Sequence, residues 1–142
     1  MKTVTKTHVG AYGIIIKDLK IALIKKARGG YKGKLDLPGG GIEHTETPIE
    51  ALHREIKEEV NCTVVSEKLF DVVSTNITWQ MEENLTEDLH HIGILYMVDV
   101  KESELKEDAD GLDSNSAEWY EIKDLKQEML SPFAWQAITK IK

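Results

Sequence analysis

Apolar positions near the start of the chain fall in two short runs, Gly13-Ile14-Ile15-Ile16 and Ile21-Ala22-Leu23-Ile24, separated by Lys17-Asp18-Leu19-Lys20. Short β-branched runs on either side of a polar break predict two strands joined by a turn. A loop rich in glycine and lysine follows over residues 27–34, and Leu35-Asp36-Leu37-Pro38 then leads into Gly39-Gly40-Gly41. Consecutive glycines open backbone geometries and close approaches that a Cβ forbids. Further strands are expected over residues 62–65, 69–79, 92–100 and 118–122, where Val, Ile, Thr and aromatic residues dominate. Residues 102–116 are acidic and polar and read as a loop.

Helical spacing occurs twice. Ile49, Leu52, Ile56 and Val60 recur every three or four residues and predict one buried stripe. The start is marked three times over: Thr47 suits the N-cap, Pro48 the first turn, and Glu50 completes a capping box. Asn61 suits the left-handed end of this helix. Ser131-Pro132 repeats the cap-and-proline signal and opens a C-terminal helix through Ile141. Strands of mixed length with two helices predict a sheet layered with helices.

The length of 142 residues suits a single domain spanning residues 1–142. No apolar run reaches the roughly 20 residues of a membrane span, and Met1-Lys2-Thr3-Val4-Thr5-Lys6 lacks the apolar core of a secretory leader. No membrane partner is therefore expected. Cys62 is the only cysteine, which excludes an intrachain disulfide and points to the reducing cytoplasm. The net charge of -7 argues against a broad basic face, so no nucleic-acid duplex is expected as partner. It also means that a phosphorylated substrate needs local positive charge or bound cations.

On the first helix Glu55, Glu58 and Glu59 stand at i, i+3 and i+4 and share a face away from the apolar stripe. Like charges so spaced repel, and a solvated acidic face is the commoner reason for such a cluster. Clustered carboxylates are also what hard divalent cations bind. Arg54, four residues before Glu58, can hold that carboxylate, and a glycine-rich turn directly before the helix admits a phosphate chain.

In these positions the sequence resembles the Nudix hydrolases (MutT-like), whose signature is G-x5-E-x7-R-E-U-x-E-E-x-G-U with U a bulky apolar residue. Here it reads Gly40, Glu46, Arg54-Glu55-Ile56, Glu58-Glu59 and Asn61-Cys62, preceded by Leu37-Pro38-Gly39. The last glycine is replaced by Asn61, the next best residue at positive φ, and Cys62 stands in for the final apolar residue. So many fixed positions make the signal specific.

The resemblance implies an α/β Nudix fold, a mixed β-sheet sandwiched between α-helices. It implies a Mg²⁺-dependent pyrophosphohydrolase, with Mn²⁺ as a substitute ion, and homodimers are common in the family. Gly39 through its carbonyl, with Glu55, Glu58 and Glu59, would hold the metal, while Glu46 and Arg54 position the helix. Water activated by the ions would attack one phosphorus and release two phosphorylated products. The general base stays open between Glu58 and acidic residues farther along, Asp108, Asp110, Asp113 and Glu118, of which Glu118 is the most placeable.

Residues 25–34 carry Lys25, Lys26, Arg28, Lys32 and Lys34 and no acidic residue. Arg28, Lys32 and Lys34 are candidates for steering phosphate, against the plain reading of a solvated loop. Trp79, Phe133 and Trp135 are candidates for stacking on a nucleobase, although aromatics more often build cores. Of His90 and His91, one must point away from the core if the strand alternates. Prolines occur only at 38, 48 and 132, so the proline usual downstream of the box in ADP-ribose hydrolases is missing. The expected substrate is a small phosphorylated molecule, a nucleoside triphosphate or related nucleoside diphosphate derivative. The alternatives are a non-nucleotide diphosphate and a non-catalytic nucleotide-binding or regulatory module.

Overall fold

The computed structural model describes residues 2–101 and 114–142; Asp108, Asp110 and Asp113 lie outside the described residues. The chain begins with β1 (Lys2–Ile14), β2 (Ile16–Lys17) and β3 (Lys20–Lys26). Ile16 pairs with Ile21 and Lys17 with Lys20, which leaves Asp18 and Leu19 as a two-residue turn with φ of 52° and 65°. Positive φ at both central positions matches the right-handed twist of the paired strands. The polar break is thus a hairpin turn as expected, but β1 itself belongs to another sheet.

Next come β4 (Leu35–Asp36), β5 (Gly39–Gly41) and α1 (Pro48–Val60). A long hairpin of β6 (Val64–Glu82) and β7 (Leu85–Val100) follows, then β8 (Ser114–Glu121), two 3-10 turns and α2 (Pro132–Ile141). One mixed sheet has the order β5-β1-β7-β6, with β1 and β7 parallel. The second is antiparallel, with β2 and β4 along one edge of β3 and β8 along the other. Register shifts near Val64, Leu69 and Gln80 keep β6 continuous where composition suggests separate strands. Residues 114–116, expected in a loop, are the first residues of β8.

Both sheets are covered on both faces. Tyr12, Ile14, Ile21, Leu23 and Leu95 pack with Phe133, Ala134, Ala137 and Ile138 of α2. Ala11, Ile15, Ala22, Ile24 and Val98 pack with Ala51, Leu52, Ile56 and Val60 of α1. Burial on two sides explains why Ile21 to Ile24 reads as a continuous apolar run. The α/β layering is that expected, and no helix among the described residues is long and apolar enough to cross a membrane.

The ends of α1 follow local chemistry. Thr47 Oγ1 accepts from the Glu50 amide at 3.1 Å, the Glu50 carboxyl accepts from the Thr47 amide at 2.9 Å, and Asn61 takes φ 60°. The apolar stripe departs from the pattern at one position. Ile49 is 43% exposed, since it stands in the first turn before the helix meets the sheets at Ala51 and Leu52.

Candidate active site

Helical geometry grades the three glutamates by depth. At about 100° per residue, Glu59 lies next to the direction of Leu52, Glu55 about 40° farther round and Glu58 farther still. Glu59 is accordingly buried, the Glu55 side chain is 16% exposed and that of Glu58 48%. The cluster therefore runs from the core border to solvent and does not form one exposed face.

Arg54 organises this end of the helix. Its guanidinium donates to both carboxylate oxygens of Glu46, at 2.7 and 2.9 Å, to Glu55 Oε1 at 2.8 Å and to the Gly41 carbonyl at 3.1 Å. Its contact with Glu58, the pair expected from spacing, is longer than these at 3.5 Å. The Arg54 hydrogen bonds hold Glu46 down at about pKa 2. Gly40 packs so closely on the Glu55 carboxyl that any Cβ there would collide with it.

Glu59 accepts from the Gly39 amide at 2.7 Å through one oxygen, and no described residue donates to the other. Burial, reinforced by the charge of Glu55, pushes its carboxyl up to about 8. Among the described residues no three acidic, imidazole or thiol side chains already converge on one point. The donors nevertheless fit a hard divalent cation. Two carboxylates of α1, Glu55 and Glu59, face one cavity, Glu59 is buried without a counter-charge touching it, and all these donors are oxygen.

That cavity measures about 570 Å³. Glu55, Glu59, Asp36 and Gly39 to Gly41 line it along with the cations Lys6, Lys26 and Arg28 and the rings of Tyr31, His91 and Trp79. Its floor is the face of β1 and β7 that, farther along, carries the α2 core. Its lining also draws on the 27–34 loop, where Gly30 packs directly against Ile77 and Trp79. His91 is buried between two phenols, with Tyr12 Oη 2.6 Å from Nε2 and Tyr31 Oη 3.0 Å from Nδ1. Burial, with His8 and Lys26 nearby, drops its pKa to about 3, so the ring is neutral and relays between a donor and an acceptor. Asp36 is fully enclosed, holding Ser131 Oγ at 2.5 Å, and burial raises its pKa.

Several expected site residues lie elsewhere. Lys32 and Lys34 line an adjoining cleft of about 610 Å³, where Lys34 Nζ donates to the Glu128 carbonyl. Phe133 belongs to the core and backs His91 at a ring distance of 4.3 Å, filling the space above Gly93. Glu118 shares a face of β8 with Tyr120, toward α2, whereas its neighbours Ala117 and Trp119 pack toward α1. It is exposed, accepts from Tyr120 Oη at 3.3 Å and does not join the helix carboxylates. Glu58 lies outside the cavity lining. The residues missed from sequence are Lys6, His8, Tyr12, Tyr31, Asp36 and Glu87, while of the pair His90 and His91 it is His91 that lines the cavity. The available signal was that Glu87 and His91 alternate with Leu89 on the inward face of one strand.

Residues 6–141 match the model of the NUDIX domain. The chain belongs to the NUDIX family. It is 38% identical over 117 residues to an ADP-ribose pyrophosphatase of Methanocaldococcus jannaschii, a match spanning 82% of this chain and 63% of that protein. It is 33% identical over 70 residues to an 8-oxo-dGTP diphosphatase of Proteus vulgaris, covering 49% of this chain and 62% of that one. This NUDIX domain thus spans less than two thirds of the length of these relatives. A MutT NUDIX hydrolase of Burkholderia pseudomallei superposes with a TM-score of 0.67 at 22% identity, over 96% of this chain and 99% of that one, a likeness of fold.

Proposed function

We propose that this NUDIX domain hydrolyses a diphosphate linkage in a nucleoside triphosphate or a related nucleoside diphosphate derivative, with Mg²⁺ or Mn²⁺ as its ion. One observation carries the reading: a single cavity has the carboxylates of Glu55 and Glu59 at its α1 wall and Arg28, Lys26, Lys6 and Trp79 on other walls. Gly39, Glu55, Glu58 and Glu59 are the residues that would hold the ion. A divalent ion there would neutralise carboxylates and substrate phosphates together and lower the pKa of a water molecule.

The chain's own groups do the rest. Arg54 fixes Glu55 against Gly40 and ties the helix to Glu46 and Gly41. Arg28 and Lys26 attract the phosphate chain, and Trp79 offers a face to a base. Water attacks one phosphorus in line, a P–O bond forms as the bridging P–O bond breaks, and a carboxylate of α1 takes the proton. Glu58 is the candidate with freedom to turn toward it, being half in solvent and only loosely held by Arg54.

The missing downstream proline speaks against ADP-ribose, and the Methanocaldococcus jannaschii relative named for that substrate speaks for it, so both substrate types belong in the test. Incubation with Mg²⁺ and a panel of nucleoside triphosphates, dinucleoside polyphosphates, ADP-ribose, nucleotide sugars and isoprenoid diphosphates should release two phosphorylated products from a nucleotide. Turnover confined to a non-nucleotide diphosphate, or none in a folded protein, overturns the proposal. Glu58→Gln should lower kcat by roughly 10²- to 10⁴-fold with the fold intact, and full activity removes Glu58 from the mechanism.

A further inference from the structure

Glu87 is a carboxylate buried to 7% exposure in the cavity wall, on β7 and opposite Trp79 of β6. Its Oε1 accepts the indole Nε1–H of Trp79 at 2.9 Å, and among the described residues nothing donates to its second oxygen. A buried carboxylate oxygen left without a donor is costly unless a ligand supplies one. The same strand face carries Leu89 and His91 between Glu87 and the α2 core, which sets Glu87 apart from the α1 carboxylates. A carboxylate can only accept hydrogen bonds and repels a phosphate, so it suits the uncharged end of a substrate. The indole, fixed in orientation by its own bond to Glu87, offers a face for a planar ring beside that oxygen.

We infer that Glu87 is a specificity-determining residue that accepts a hydrogen bond from the exocyclic amino group of a nucleobase stacked on Trp79. Adenine, cytosine and guanine present such a group. Uracil and thymine offer one ring N–H between two carbonyl oxygens, and those oxygens repel the carboxylate. The inference rests on the nucleotide reading above and adds the chemical class of base.

Glu87→Gln tests it with a change of one atom. The amide has a single oxygen, and the Trp79 N–H needs it. The amide NH₂ is then left facing the cavity, a donor where the wild type has an acceptor. The readout is kcat/KM for ATP, CTP, GTP and UTP, or for the matching bases on whichever phosphate scaffold turns over. The wild type should favour the amino bases over UTP by roughly ten- to a hundredfold, the value of one hydrogen bond to a charged group. Glu87→Gln should shrink or reverse that ratio, acting through KM with kcat within about threefold.

A second measurement needs no variant. The wild type should discriminate GTP from ITP, which lacks the 2-amino group, or ATP from purine riboside triphosphate, which lacks the 6-amino group. Nucleotide hydrolysis that ignores the amino group in the wild type, or an unchanged base ratio in a folded Glu87→Gln, overturns this inference and leaves the nucleotide reading standing. Absence of any nucleotide turnover overturns that reading, and the inference with it.

Discussion

Arg54 grips Glu46 with two parallel hydrogen bonds, Nε to Oε2 at 2.7 Å and Nη2 to Oε1 at 2.9 Å. The planar fork also reaches Glu55 and the Gly41 carbonyl, so one side chain ties the approach to α1 to the helix itself. Lysine carries the same charge but cannot make these bonds together. Arg54→Lys should therefore cost roughly 10- to 100-fold in kcat/KM, the usual effect of loosening a group that orients metal ligands. Steady-state kinetics on the substrate found by the panel decides it, and near-wild-type turnover would rule out a positioning role.

The same pair has a pH signature. Glu46 is held at about 2 by Arg54, below its ordinary value of 4.5. A depressed carboxyl contributes stability above its unfolded pKa and loses it as pH falls through the folded value. Thermal melts of wild type and Glu46→Gln should differ at pH 6 and converge as pH drops from about 4.5 toward 2. A gap that stays constant over that window would refute the assignment.

His91 titrates lower in the fold than in the open chain, about 3 against 6.5. The unfolded chain binds the proton first, so the contribution of the neutral ring is present above pH 6.5 and lost on the way down to 3. The melting difference between wild type and His91→Phe should narrow over that range. Widening in acid would mean that the ring carries charge in the folded protein.

Glu59 and Glu55 face one cavity, and burial beside the charge of Glu55 makes Glu59 hold a proton that a divalent cation would displace. Millimolar Mg²⁺ should raise the melting temperature of the wild type at pH 7.5, and Glu59→Gln should remove most of that rise. At tenfold excess over its dissociation constant, an ion adds about 1.4 kcal/mol of stability. Calorimetry of the metal-free protein and its variant, with and without Mg²⁺, checks the sign, and an equal rise in both would take Glu59 out of the ion site.

Leu19 sits at φ 65° with 78% of its surface exposed, in a hairpin position that glycine fills without strain. Leu19→Gly should stabilise the fold by about 0.5–1 kcal/mol and leave kinetics unchanged. Chemical denaturation resolves a difference of that size.

The ends of α1 were legible because capping is local chemistry: Thr47, Pro48, Glu50 and Asn61 act on neighbours a few residues away. The glutamate spacing was legible for the same reason, and their graded depth was not, since it depends on which side of the helix meets the sheets. Glu118 shows the limit in a strand. Trp119 and Tyr120 are adjacent aromatics, and each packs toward a different helix, so alternation alone could not orient the glutamate between Trp119 and Ala117. The pocket wall was less legible still. Glu87, His91 and Lys6 meet through the parallel pairing of β1 with β7, a contact between segments about 80 residues apart.

That pairing runs without a shift from Lys2 opposite Leu85 to Ile14 opposite Met97. Leu95 and Gly93 bed α2, while His91, Leu89 and Glu87 line the cavity, all along one face of the same strand. Inserting or deleting one residue between Glu87 and Gly93 would turn part of that row to the other side. The recognition surface can therefore diversify by exchanging side chains in place, while single-residue length changes within the strand are closed to it by the demands of the core.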